Sequence, residues 1–145
     1  MTIQEESTQK AQQTIERIYE IIRWLDSNGS SQAITHIVLK LDQLAIEAMW
    51  FSDSVSQAYG ERNNAEEDYK HACAKSVSEA KESATKAIEM AKVEFAPLKR
   101  EFLAWDALYH RLKLKMDRID VIIDTQRQRV SLLKQMDLKN VGGGI

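Results

Sequence analysis

Apolar residues recur at intervals of three and four along most of the chain, which is the spacing of helices that bury one face. This pattern predicts four helices, over residues 4–26, 31–58, 64–95 and 97–139. Heptad spacing persists from Ile34 to Ala58 in the second predicted helix and from Leu98 to Leu133 in the fourth. A repeat sustained over this many turns is typical of a coiled-coil seam.

Helix-breaking residues are scarce, and they mark the predicted junctions. The chain has one proline and five glycines, and three of the glycines fall in residues 141–145. Gly29 and Gly60 separate the first three predicted helices, although a single bent helix through Gly60 is an alternative. Pro97 suits the first turn of the fourth, where its missing N–H costs nothing. So few breakers exclude the many turns of an all-β or α/β domain.

We therefore predict an all-α fold. Residues 1–140 form one helical domain, an elongated bundle of about four helices arranged as hairpins or coiled coils. Residues 141–145 form a flexible glycine-rich tail. The three tryptophans fall on or beside apolar seams, which predicts that they anchor the core or an interface: Trp24, Trp50 and Trp105.

The fourth predicted helix also indicates self-association. Its seam of 36 residues spans about 54 Å, which exceeds the diameter of a compact domain of this size. A single neighbour covers one stripe of a helix, and this helix has further apolar positions beside the stripe. We predict a homo-oligomer whose interface consists of seven seam residues: Phe102, Trp105, Tyr109, Leu112, Met116, Ile119 and Ile123.

Composition places the chain among folded, non-membrane proteins. Hydrophobic residues make up 43% and charged residues 29%, and no apolar run approaches the length of a membrane span. The polar, acidic start of the chain argues against a signal peptide. The lone Cys73 cannot form an internal disulfide, so we expect a reducing, cytoplasmic location and no membrane partner.

The net charge of -2 conceals two halves of opposite sign. Residues 1–98 carry a net charge of -6, and residues 99–145 carry +4. In the second half, Arg111, Lys115 and Arg118 share one face of the fourth predicted helix. This face is either a phosphate-contacting surface or an ordinary solvent-exposed helix face.

A second basic set lies near Gly60 and contains Arg62, Tyr69, Lys70 and Lys75. Aromatic rings interleaved with cations suit single-stranded nucleic acid, because bases stack on rings while cations follow the phosphates. Acidic residues surround this set, however, and Tyr69 also fits an apolar seam, so a structural role is the favoured interpretation.

No residue pattern indicates catalysis. His110 follows Asp106 by one helical turn, but no second His or Cys lies nearby to complete a zinc site. Asp117, Asp120 and Asp124 form an acidic stripe that would suit Mg²⁺ beside a substrate phosphate, and pairing with neighbouring cations explains it more simply. We expect a non-enzymatic protein without catalytic residues, metal or cofactor.

One part of the chain resembles a known family. Residues 65–72 (Ala-Glu-Glu-Asp-Tyr-Lys-His-Ala), followed by the long helix from Trp105 to Lys134, are similar to the UvsY-type recombination mediators of T4-like phages. The resemblance covers residues 60–134, and the first 58 residues do not share it. Its positions in the terminal helix are Tyr109, Leu112, Met116, Asp117 and Ile119, with Arg127 and Lys134 beyond them.

The resemblance implies a recombination accessory protein. Such mediators bind single-stranded DNA, form ring-like oligomers and help to load a recombinase onto strands covered by single-strand-binding protein. In this chain it implies DNA contacts by Arg62, Lys70 and Lys75. The alternative is a coiled-coil protein–protein interaction module, an adaptor or an inhibitor of a host protein, that binds no nucleic acid.

Overall fold

The computed structural model describes residues 1–28 and 33–143, with side chains up to residue 138. The described residues form four α-helices and no strand, which confirms the all-α prediction. The helices are α1 (Ile3–Asn28), α2 (Ile34–Glu79), α3 (Ala84–Glu94) and α4 (Ala96–Gly143).

Helices α2 and α4 are the frame of the molecule. They contain 46 and 48 residues, so each is about 70 Å long. They run antiparallel: the Tyr59 ring lies 5.1 Å from that of Tyr109, and, further along α2, Lys99 of α4 lies over the Tyr69 ring. The two long helices therefore face each other along most of their length.

The two shorter helices pack at opposite ends of this frame. Arg17 of α1 pairs with Glu47 of α2, and Asp26 of α1 accepts a hydrogen bond from Gln126 of α4. Helix α1 is thus antiparallel to α2 and parallel to α4. Helix α3 packs through small side chains at the other end of α2, where Ala91 is buried. One end of the molecule is therefore a bundle of α1, α2 and α4, whereas at the other end α3, which leads directly into α4 at Phe95, packs against α2.

The core follows the predicted seam of α2. Leu44 and Phe51 are fully buried, and the other buried members include Ile37, Leu41, Ala48 and Ala58. At two positions the structure differs: Ile34 is half-buried, and Ser54 is buried while the neighbouring Val55 is half-buried. The heptad spacing therefore identified the face of α2 that packs against α1 and α4.

The seam of α4 packs against the same chain rather than against a second copy. Of the seven residues predicted to form an oligomer interface, five are buried in this core and two are half-buried against it: Phe102, Trp105, Leu112, Ile119 and Ile123, then Tyr109 and Met116. The apolar face of α4 is broad because both α1 and α2 cover it. These residues belong to the core of one chain, which corrects their assignment to an interface.

Two helix boundaries differ from the main prediction. Helix α2 continues through Gly60, which agrees with the alternative of one helix and corrects the ends predicted at residues 58 and 64. The predicted helix over 64–95 divides instead after Glu79, and the Ser83 side chain accepts a hydrogen bond from the Lys86 backbone N–H at the start of α3. The buried Ala58 and Ala65 hold α2 in place on both sides of the exposed Gly60.

The predicted ends of α4 also need adjustment. It begins at Ala96 with Pro97 in its first turn, as predicted. It continues to Gly143, so the backbone of residues 141–143, predicted as a flexible tail, is helical. Residues 144–145 and the predicted junction at Gly29 lie outside the described residues.

Substitutions at Gly60 test the continuous helix. No side chain or foreign backbone lies within 4 Å of the position a Cβ would occupy. Gly60→Ala should raise the free energy of unfolding by about 0.5–1 kcal/mol, because alanine loses less backbone freedom in a helix. Gly60→Pro should lower it by about 3 kcal/mol or more, because proline removes a helical hydrogen bond. Urea unfolding followed by circular dichroism measures both, and a proline variant as stable as the wild type would contradict the continuous helix.

Candidate functional site

A network of charged side chains joins α2 to α4. Arg62 of α2 donates a hydrogen bond from Nε to Oδ1 of Asp106, and its Nη1 lies 3.7 Å from Oε2 of Glu66. Lys70 Nζ lies 2.8 Å from Oε1 of Glu66, and His110 Nε2 lies 3.3 Å from Oδ1 of Asp106. We call these five residues the Arg62 cluster.

The Arg62 cluster favours the ionised forms of Arg62, Glu66 and Asp106. The hydrogen bond from Arg62 lowers the pKa of Asp106, and the same bond raises the pKa of Arg62. The hydrogen bond from Lys70 lowers the pKa of Glu66. Such groups have no proton to exchange near neutral pH, which suits an ion network between helices better than general acid–base chemistry.

Most of the basic set predicted on α2 is engaged within the chain. Arg62 and Lys70 pair with carboxylates. Tyr69 is half-buried beneath Lys99, and burial together with a hydrogen bond to Cys73 raises the pKa of its phenol. Lys75 is exposed. The structure therefore does not present these four residues as one open cationic surface.

The basic residues predicted on α4 form a separate surface, which we call the α4 basic strip: Arg111, Lys115 and Arg118. Arg111 and Lys115 line a notch of about 220 Å³ together with Thr8 and Gln12 of α1. Within the described residues, none of the three cations lies within ion-pair distance of a carboxylate. Their charge remains available for an anionic partner.

The outer face of α2 has an apolar patch that the sequence pattern did not single out. Its members project from the side of α2 opposite the buried seam and are exposed: Leu39, Ile46, Met49 and Trp50. We call them the Trp50 patch. Trp50 is 52% exposed, whereas Trp105 is 3% exposed and Trp24 is half-buried beside Lys40. Of the three tryptophans, only Trp105 is a buried core anchor.

A second exposed apolar line runs along α4, which we call the outer stripe: Leu103, Leu114, Val121 and Leu132. Their separations of 11, 7 and 11 residues are close to whole numbers of helical turns, so all four share one face. That face is opposite the buried seam. The spacing is visible in the sequence, but the stronger heptad of the core seam obscured it.

The described part of the chain gives no support for a metal site or for a membrane-spanning helix. Residues 1–28 and 33–143 contain no group of three or more His, Cys, Asp and Glu side chains arranged to hold a metal ion. Asp117 of the predicted acidic stripe lies 4.0 Å from Lys113, the kind of pairing that the sequence favoured. None of the described helices combines the length and apolar character needed to cross a membrane.

The pH dependence of stability tests the Arg62 cluster. Because the pKa of Asp106 is lowered in the folded state, its stabilising effect is present above the ordinary carboxyl pKa of about 4 and is lost as pH falls through the lowered value. Asp106→Asn should therefore be less stable than the wild type at pH 7, and the difference should shrink in acid. Urea midpoints at several pH values measure it, with Asp120→Asn on the exposed side of α4 as control. If the difference in urea midpoint between the wild type and Asp106→Asn does not change with pH, stabilisation by the ionised Asp106 is contradicted.

Comparison with known proteins finds no relative of this chain. No protein-family model matches the chain, and no curated protein or solved structure is significantly similar to it. The resemblance to UvsY-type mediators stays a prediction.

Proposed function

We propose that this chain is a non-enzymatic interaction module that binds a partner protein through the Trp50 patch. The observation that carries the proposal is the exposure of four large apolar side chains on one face of α2, in a chain whose core is already filled by α1, α2 and α4. Contiguous exposed apolar patches mark interaction sites, and tryptophan is enriched among the residues that dominate binding energy.

The charges around the patch indicate the chemistry of the partner. Asp42 and Asp53 are exposed and lie on the same face of α2 as Ile46, at helical spacings of four and seven residues. A partner that places apolar side chains on Trp50 and Lys or Arg beside the two aspartates complements this surface. An amphipathic helix with a basic flank has that pattern.

Replacing Trp50 tests this function. Trp50→Ala should weaken partner binding by about tenfold or more, because a central aromatic residue contributes a large share of binding energy. The variant should unfold at the wild-type urea midpoint, since the side chain lies outside the core. Quantitative mass spectrometry of proteins captured from a nuclease-treated host lysate measures the binding.

The matched control is Tyr19→Ala, which removes an exposed aromatic ring from α1. A protein retained by Tyr19→Ala and absent with Trp50→Ala identifies a partner of the patch. If every specifically captured protein binds both variants equally, the Trp50 patch is not the docking surface.

A second function, binding of single-stranded DNA, is supported by the α4 basic strip. Its three cations are free of ion pairs within the described residues and follow one another along a helix face, as contacts to successive phosphates require. A recombination accessory role would use this strip rather than Arg62 and Lys70, whose charges are neutralised by Asp106 and Glu66.

Charge reversal in the strip tests this second function. The variant Arg111→Glu, Lys115→Glu, Arg118→Glu should no longer bind a fluorescent single-stranded oligonucleotide at low salt. For the wild type, the logarithm of the affinity should fall with the logarithm of the salt concentration by about 0.7 for each phosphate that the protein neutralises. The control reverses three cations elsewhere: Lys10, Lys81 and Lys86. Equal binding by both variants, or no binding by the wild type at low salt, would contradict the proposal.

A further inference from the structure

The outer stripe of α4 has no partner within the described part of the chain. Its four side chains are 49% to 65% exposed, and they extend over about 44 Å of helix from Leu103 to Leu132. Helices α1 and α2 both pack on the opposite side of α4, against Leu108, Leu112 and Ile119. A second helix can therefore lie along the stripe without disturbing the core.

The flanks of the outer stripe carry opposite charges. With 100° between successive residues, Arg111 and Arg118 fall on the flank nearer to α1, whereas Asp117 and Asp124 fall on the flank nearer to α2. The notch that Arg111 forms with α1 agrees with this placement. All four side chains are exposed. One edge of the stripe is thus cationic, and the other is net anionic, although it also carries Lys113, which lies 4.0 Å from Asp117.

We propose that a second copy of this chain packs along the outer stripe, with the two α4 helices parallel and related by a two-fold axis along their length. The proposal is independent of the Trp50 patch, which lies on α2. It uses Arg111 and Arg118 of the α4 basic strip, so dimer formation and single-stranded DNA compete for these two cations. In such a dimer each apolar residue of the stripe faces the stripe of the other copy. An interface of this kind is self-complementary, as a two-fold axis requires.

The charges on the two flanks of the outer stripe determine whether the two α4 helices pack parallel or antiparallel. A two-fold axis along the helices brings the cationic flank of one copy against the anionic flank of the other. Residues of equal number lie level in such a pair, so Arg118 lies near Asp117 of the partner subunit, about 1.5 Å away along the axis, and Asp124 of the partner subunit lies about 9 Å along the axis in the other direction. An antiparallel pair would instead place arginine beside arginine and aspartate beside aspartate, which costs free energy. The parallel arrangement is the one that the charge pattern fits.

Cysteine cross-linking tests both the interface and the orientation. In a Cys73→Ala background, Leu103→Cys and Leu132→Cys should each form a disulfide-linked dimer under mild oxidation. An antiparallel pair can bring at most one of these positions next to its own copy, because they are about 44 Å apart. Leu39→Cys, similarly exposed on α2, is the control for random collision. Cross-linking at neither position, or at only one, would overturn the proposed parallel dimer.

Exchanging charges gives a second, independent readout. Arg118→Asp should weaken self-association by about tenfold or more, because it places two carboxylates together at each of two symmetric sites. Adding Asp117→Arg should restore it. Sedimentation equilibrium measures the mass, and a wild type that remains at 16.6 kDa at every concentration would overturn the proposal. Trp50→Ala should leave the dimer intact, and Asp117→Asn should weaken the dimer without weakening oligonucleotide binding, so the outcome is separable from both proposed functions.

Discussion

The antiparallel packing of α2 against α4 is the constraint on which the rest of the structure depends. Helix α3 has only 11 residues and buries mainly alanines, so it has little stability without a neighbour. The largest fully buried side chains, including Leu44, Phe51, Leu108 and Ile119, lie mostly on the two long helices. Once these side chains interdigitate, the relative register of α2 and α4 is fixed, α1 gains a groove between them, and α3 packs on the end of α2.

That register also determines which charges remain available to a partner. It places Asp106 beside Arg62, although the two residues are 44 positions apart in the sequence. The carboxylate therefore neutralises a cation that the neighbouring sequence alone predicts to be unpaired. The α4 basic strip stays unpaired within the described residues because the neighbouring face of α1 contributes Thr8 and Gln12 rather than carboxylates. The fold, more than the composition, decides where positive charge is exposed.

Helical periodicity predicted the elements and the buried faces of α2 and α4, because a seam that must be buried leaves a strong periodic signal. The junctions were harder to predict. Gly60 costs a helix only about 1 kcal/mol relative to alanine, and tertiary packing outweighs that cost. The true break after Glu79 has no glycine or proline to mark it. Periodicity also identified the α4 seam without revealing that two helices of the same chain cover it.

Folding explains the apolar residues of the core seam, but it does not explain those of the two exposed apolar surfaces. Folding requires Leu44 to be buried, whereas a polar residue at Leu114 or Trp50 would leave the core unchanged. Single apolar residues on a surface need no explanation, but four in line on α4 and a tryptophan-centred group on α2 are not scattered. Because burial of apolar surface is favourable in water, these two surfaces are the basis of the contacts proposed above. Each long helix thus uses one face to fold and exposes large apolar side chains on the opposite face.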